Sequence, residues 1–375
     1  MTIAINSTRF IKSAGNDFFY AYFYQIAVSC TEHQFIFITP TLMEEQEFSA
    51  KNIIHVISSP WANNPVMWRI WLDYTLPGIA RKYKTDVLIN TGGVCSLRTN
   101  LPQHIFISDL SFLYFPAFFS GKQLYYLKKN MPAFLLKANT IVTTSDFIRK
   151  EIVQHYPIDG EKINIFPFIA DDHYQPLNWK EKETVRERYT EGTEYFLFTG
   201  EIHPRNNLVN LLKAFSFFKK RQKTNMQLVI ITNGVTTNDP FIENFKRYKY
   251  REEVNILADL PKKDRAKITA AAYAFVSVPI YEGMPFSVLA AMQCEVPVIT
   301  SDTGALNDTT GDAALHANPT DFENIADKMM QLFKDETKRT ELIRIGKLLV
   351  QKNRKDKMDD QWWKSILTSM DTSKL

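Results

Sequence analysis

Cysteine is scarce. The 375-residue chain has three, Cys30, Cys95 and Cys294, far apart and odd in number. That excludes a disulfide framework and a zinc cage, and it fits a reducing, cytoplasmic compartment. Long apolar runs are missing too. The most apolar stretch, Ile268 to Ile280, is broken by Thr269, Ser277 and Pro279 and falls short of the roughly 20 residues that span a bilayer. The opening MTIAINSTRF has no charged leader or apolar core, so no signal peptide is expected. No HxxxH pair, carboxylate cluster, GxSxG elbow or GxxxxGK[ST] loop occurs, which leaves no motif for a metal, a serine nucleophile or a P-loop. The net charge of +4 is too small to argue for nucleic acid.

What is abundant is aromatic: 27 Phe, 16 Tyr and 6 Trp, enough to fill two cores and leave rings for a surface. Short β-branched runs alternate with helical patterns. The first half offers Thr2–Asn6, Phe35–Thr39, Ile53–Ser58, Asp86–Asn90, Ile105–Ser108 and Thr140–Ser145. The second offers Tyr195–Gly200, Leu228–Thr232, Val254–Leu257, Ala274–Val278 and Val296–Ser301. Near-continuous apolar strands separated by helices predict parallel sheets covered on both faces, hence two doubly wound α/β domains. The polar stretch Asp171–Glu191 marks the boundary. The expected division is 1–175, 176–355 and a C-terminal helix, 356–375, returning to the first domain with Trp362–Trp363 as an amphipathic anchor.

In such sheets, ligands bind beyond the carboxyl ends of the strands. After the strand ending at Gly200 comes GEIHPRNNLVNLLKAF. Gly200 lets the backbone turn, a helix starts near Asn207, and His203 and Arg205 stand beside its first turn. Helix amides plus one guanidinium suit a phosphate, although a plain strand-to-helix turn reads much the same. After Val278 comes PIYEGMPFSVLAAMQCEVPVITS. Glu282 and Gly283 form a turn, and a helix is predicted from near Pro285. A carboxylate there can accept sugar hydroxyls, or simply favour the helix dipole.

A third segment, Ser111–Ser145, has no Asp or Glu. It carries Lys122, Lys128, Lys129 and Lys137 among Phe112, Tyr114, Phe115, Phe118, Phe119, Tyr125, Tyr126 and Phe134. Such a mixture suits anionic lipid. The plainer alternative is a helix packed on the sheet through Leu124, Leu127, Met131 and Leu135. Asn90-Thr91-Gly92-Gly93, after a strand, offers a weak further approach for a ligand.

FLFTGEIHPRNNLVNLLKAFSFFK, followed by YEGMPFSVLAAMQCEVPVITSDTGALNDTTGDAALHANPTD, resembles glycosyltransferase family 4, of GT-B fold. The likeness runs on through IAINSTRF, LPQHIFISDLSFLYFP and KANTIVTTSDFIRKEIV. The resemblance implies two Rossmann-like domains facing a central cleft. It also implies retaining transfer of a sugar from a nucleotide-sugar donor, without metal or cofactor, to a glycan, lipid-linked or other cell-surface polysaccharide acceptor. By position, Arg205 would hold the donor diphosphate and Gly200 would allow its close approach. Glu282 would contact the donor sugar, making Arg205 and Glu282 the catalytic pair. His203, Asn206, Gly283, Met284, Pro285, Phe286, Ser287 and Ala290 would complete the donor site. Gly15, Asn16, Gly92, Ser108 and Asp109 would line the N-domain side of the cleft. By the resemblance the donor would belong to the C-terminal domain and the acceptor to the N-terminal one; the composition of 111–145 allows, beside these, peripheral contact at the inner face of the membrane, and no nucleic acid is expected.

Several positions depart from the family pattern. Asn206 stands where a Lys is usual, Ala290 replaces a Glu expected to meet the ribose, and Glu295 replaces a Gly. Ser108 precedes Asp109 where many relatives have His, and Glu201 adds a negative charge to the phosphate loop. An active enzyme with an altered donor pocket is therefore set against a catalytically impaired relative serving as a binding or partner subunit. An epimerase or phosphorylase has no specific support.

Overall fold

The computed structural model describes residues 1–8, 16–41, 50–62, 64–166, 170–234, 240–358 and 363, with only the backbone of Asn16, Asp17, Phe18, Ala21 and 355–358. The chain divides into two compact units, Met1–Phe166 with Asp359–Leu375, and Pro167–Met358. The first unit runs β1 (Thr2–Asn6), α1 (Asn16–Ser29), β2 (Gln34–Thr39), β3 (Ile53–Ile57), α2 (Pro65–Ile70), α3 (Leu76–Lys82), β4 (Val87–Asn90), β5 (Gln103–Ile107), α4 (Ser111–Tyr114), α5 (Gly121–Lys137), β6 (Thr140–Thr143), α6 (Asp146–His155) and β7 (Ile163–Ile165). The second runs α7 (Trp179–Thr190), β8 (Tyr195–Thr199), α8 (Leu208–Gln222), β9 (Gln227–Thr232), α9 (Pro240–Phe245), β10 (Val254–Ala258), α10 (Lys262–Ala271), β11 (Ala274–Ser277), α11 (Phe286–Gln293), β12 (Val298–Ser301), α12 (Gly304–Thr310), β13 (Ala314–Ala317), α13 (Phe322–Lys334) and α14 (Glu336–Met358).

Each unit holds one parallel sheet. The orders are β3-β2-β1-β4-β5-β6-β7 and β10-β9-β8-β11-β12-β13. The order therefore reverses between β1 and β4 in one sheet and between β8 and β11 in the other. A ligand crevice opens at such a reversal, because the connections leave in opposite directions there. The expected α/β, doubly wound class holds in both units. Two strands beyond those expected, β7 and β13, close the outer edges.

The strands are apolar because both faces are covered. In the first unit Phe106 of β5 meets Phe19 of α1 edge-on at 4.9 Å and Phe166 at 5.9 Å. In the second, Phe196 of β8 packs edge-on against Phe218 of α8 at 5.1 Å, within a core that includes Leu211, Phe215, Ile230, Val276 and Met329. Burying each such side chain contributes roughly 1.5–3 kcal/mol. Trp363 is buried and stacks on Phe35 of β2 at 6.3 Å, so it serves as core; Trp362 lies outside the described residues.

The polar stretch before α7 is held, not loose. Gln293 donates its amide to the carbonyls of Asp171 (3.0 Å) and Tyr174 (2.8 Å), and Lys262 pairs with Asp171 at 2.7 Å. A capping box of Asn178 and Glu181 then starts α7.

Candidate functional site

In the second unit the loops leaving β8 and β11 lie side by side, because those strands are neighbours at the reversal. The β8 loop begins at Gly200. A Cβ there would come within 2.9 Å of the Phe198 ring and 3.3 Å of the Asn206 amide, so only glycine fits without a shift. Pro204–Asn206 form a 3₁₀ turn. His203 caps it: its Nδ1 accepts the Arg205 backbone N–H at 3.1 Å. The ring must be unprotonated at Nδ1 to do so. Burial, reinforced by the Arg205 cation and opposed by Glu201, lowers its pKa and favours that form.

Asn207 ends the turn in the left-handed region at φ +61°, which Asn tolerates better than most residues. Its buried side-chain amide donates to the carbonyls of Val278 (2.9 Å) and Pro319 (2.7 Å). The Arg205 carbonyl accepts from Ile280 N–H at 2.9 Å, and Ser301 Oγ donates to the Pro279 carbonyl at 2.5 Å. Three consecutive residues, Val278, Pro279 and Ile280, are thus clamped by neighbouring loops. This fixes the chain just before Glu282. Glu282 is half-buried and accepts the Met284 N–H at 3.3 Å, folding the turn through Gly283 onto itself.

The helices that leave β8, β11 and β12 start at Asn207, Pro285 and Thr303 without a side-chain cap. Asn64, Ser120, Ser145, Asn178 and Asp321 cap their helices, whereas α3, α4 and α10 also start without a side-chain cap. Uncapped first-turn amides suit an anionic ligand group. Pro285 is the residue before the first turn of α11 and not within it as expected.

The structure therefore brings Gly200, His203, Arg205, Asn206, Glu282, Gly283, Met284, Pro285, Phe286 and Ser287 into two adjoining loops. Ala290 is different: it sits inside α11 and is 1% exposed. Asn206 donates its amide to the Glu201 carbonyl at 2.8 Å, closing its own loop. Glu295 adopts φ +57°, a glycine conformation, and pairs with Lys347 at 2.6 Å.

In the first unit the reversal is marked by a pair the sequence reading missed. Asn6 ends β1 and Asn90 ends β4; the Asn6 amide donates to Asn90 Oδ1 at 3.0 Å, both buried. Thr8 Oγ1 donates to Asn6 Oδ1 at 2.6 Å, and Asn90 donates onward to Gln103 at 3.3 Å. Gly92 follows β4, and half-buried Ser108 and Asp109 follow β5, where Asp109 accepts the Ser111 N–H at 2.6 Å and opens α4. Gly15 lies outside the described residues. Asn16 opens α1, and its side chain is not described.

The acid-free segment is less uniformly a surface than its composition suggests. Phe112, Tyr126 and Phe134 are core, with Leu127, Met131 and Leu135; Tyr114 and Tyr125 are exposed. Among the described residues no helix is long and apolar enough to cross a membrane, and no group of three His, Cys, Asp or Glu is arranged to hold a metal.

These features define the class: an α/β protein of GT-B fold built from two doubly wound Rossmann-like domains. Residues 180–348, within the second unit, match the family model described as Glycosyl transferases group 1. The O-antigen chain mannosyltransferase B of Escherichia coli is 29% identical over 232 residues, 61% of this chain; the match spans 60% of that relative's length. Sucrose-phosphate synthase from Thermosynechococcus elongatus superposes with a TM-score of 0.78 at 14% identity, covering 98% of this chain and 100% of that one. HepE of Anabaena, solved with UDP and glucose, gives 0.74 at 12% identity, covering 98% and 100%. At such identities these likenesses speak for the fold.

Proposed function

We propose that the chain is a retaining, metal-independent glycosyltransferase, of the family 4 kind, that moves a sugar from a nucleotide-sugar donor onto a glycan or lipid-linked acceptor in cell-surface polysaccharide synthesis. One observation carries the reading. The Arg205 turn and the Glu282 turn are tied through the Ile280–Arg205 and Asn207–Val278 hydrogen bonds at the strand-order reversal, beside two helices that no side chain caps. The group 1 glycosyl transferase match over 180–348 and the O-antigen mannosyltransferase likeness support the same class.

In this proposal the donor diphosphate lies against the Arg205 guanidinium and the first-turn amides of α8 and α11. Glu282 and the backbone of Met284–Ser287 accept and donate to the sugar hydroxyls. The bond from the anomeric carbon to the diphosphate oxygen breaks, and the electron pair leaves with the nucleoside diphosphate. The acceptor hydroxyl oxygen bonds to the same carbon from the same face, and its proton passes to the departing phosphate oxygen. Catalysis without a bound metal then rests on fixed dipoles and one guanidinium set against charge that develops on the diphosphate. The acceptor would lie along the first unit near Gly92, Ser108 and Asp109, beyond the ends of β4 and β5. Peripheral contact with the inner membrane face would use the exposed Tyr114, Tyr125, Lys122, Lys128 and Lys129.

The test is turnover with a panel of nucleotide sugars and oligosaccharide acceptors, with the anomeric configuration of the product read by NMR. Retention of configuration, abolished by Arg205→Ala, supports the proposal. Binding of nucleoside diphosphates without turnover by any donor would favour the catalytically impaired alternative, which the buried Ala290 and the inward-turned Asn206 keep in view.

A further inference from the structure

A second concave surface lies on the outer side of α8, away from the loops just described. Its floor is formed by Leu212 and Phe217 of α8, Phe241 and Phe245 of α9, Tyr248 and Phe322, enclosing about 560 Å³. The rings form two packed groups: Phe241 stacks on Phe245 at 6.3 Å and Phe245 on Tyr248 at 5.9 Å, while Phe217 meets Phe322 edge-on at 6.4 Å. Tyr248 is locked by Ser216, which donates to its hydroxyl at 2.8 Å, and by its own donation to the Leu212 carbonyl at 2.7 Å. The floor is therefore preformed.

Among the described residues the rim is charged with one sign: Lys213, Lys220 and Lys249 border the groove, and no Asp or Glu lines it. All three are exposed, and among the described residues none is ion-paired; Lys213 lies over the Phe322 ring at 5.9 Å and Lys249 over Tyr250 at 5.2 Å. Lys213 and Lys220 are seven residues apart, two helical turns, or about 10 Å along one face. By contrast, neighbouring Lys246 and Lys219 are paired with Glu243 and Glu253.

We propose that this groove docks an acidic amphipathic helix of a partner protein. The occupant must place apolar side chains on the ring floor and carboxylates against lysines on both sides, two of them spaced by two turns. A helix with apolar residues at i, i+3, i+4 and i+7 and flanking Glu has that pattern. A flat bilayer fits less well, because the rings that line the concave surface are half-buried. From Val209 to Lys220 the groove extends about 16 Å, room for some three turns of helix. The proposal is independent of the glycosyl-transfer reading.

The experiment titrates the full chain with a labelled helical peptide of about 14 residues, Leu and Phe on one face and Glu beside them, and with a counterpart carrying Lys for each Glu. The acidic peptide is expected to bind at least tenfold more tightly than the basic one, with affinity falling as salt rises. Lys213→Glu with Lys220→Glu, both exposed and checked for an unchanged melting temperature, should reverse that preference. Equal affinity for the two peptides on the native chain, or no acidic-peptide binding at roughly millimolar concentration, overturns the proposal. So does binding to phosphatidylglycerol vesicles that the double variant loses while the acidic peptide stays unbound, since the occupant would then be lipid.

Discussion

Asn206 turns its side-chain amide back onto the carbonyl of Glu201, 2.8 Å away. The side chain is thereby a loop fastener, held inside its own turn. The same amide packs 3.3 Å from where a Cβ on Gly200 would stand, so Asn206, Glu201 and Gly200 are fitted to one another. Replacing Asn206 thus has two opposed consequences. Asn206→Lys loses one hydrogen bond, about 0.5–1.5 kcal/mol of stability, and adds a cation at the proposed diphosphate position. The melting temperature should drop by a few degrees, while affinity for nucleoside diphosphates, measured by calorimetry, should rise about tenfold or more, as for one charge-assisted bond. Unchanged affinity would mean that the diphosphate does not lie at this turn.

Asn207 is predicted to matter more for architecture than any charged residue nearby. Its amide satisfies two buried carbonyls, and its backbone sits at φ +61°. Asn207→Gly keeps the backbone comfortable and removes only the amide; Asn207→Ala removes both. Chemical denaturation should show a loss of roughly 1–3 kcal/mol for Gly, from the orphaned Val278 carbonyl, since Pro319 still accepts from the Asn210 amide at 3.0 Å, and about 1 kcal/mol more for Ala. If Gly is neutral, the clamp between the two loops contributes nothing.

Glu295 tests the reverse case, a residue at odds with its backbone. At φ +57° a side chain costs about 1–2 kcal/mol, and its half-exposed pair with Lys347 returns 0.2–1 kcal/mol at most. Glu295→Gly should therefore stabilise the second unit slightly, by up to about 1 kcal/mol, the unfolded-state freedom of glycine cancelling part of the relief. Glu295→Gln, which keeps the strain and loses the charge, should be less stable than the native chain. The two denaturation midpoints must move in opposite directions.

Eleven of the thirteen strands were legible as apolar runs, and the two that were not share a cause. β7 has three residues and β13 reads ALHA; each sits at a sheet edge with one pairing neighbour, where little apolar character is needed. Arg205 and Glu282 stood out because their loops carry a recognisable pattern. Asn207, the Ile280–Arg205 bond and the Asn6–Asn90 pair did not. Each joins residues 71 to 84 positions apart, or nearly so, and depends on which strands become neighbours at the reversal. That adjacency follows from topology, not from local spacing. The side-chain amides that pin these loops are, in sequence, indistinguishable from surface asparagines.

The last prediction concerns acid. His104 of β5 is fully buried, and both ring nitrogens lack a hydrogen-bond partner among the described residues. Burial lowers its pKa to about 4 from the ordinary 6.5, and burial also lowers those of His55 and, with the Arg205 cation, His203. A histidine whose folded pKa is depressed binds its proton first in the unfolded chain. Its contribution is therefore complete above pH 6.5, declines as pH falls through that value, and is lost below the folded pKa. For His104 alone the span is about 3 kcal/mol. Stability measured by urea denaturation should fall steadily between pH 6.5 and 4. His104→Leu, which has no proton to bind, should flatten part of that slope while leaving the decline due to His55 and His203. An identical slope in the variant would show that protonation of His104 is not coupled to unfolding, and that its ring reaches water in the folded protein.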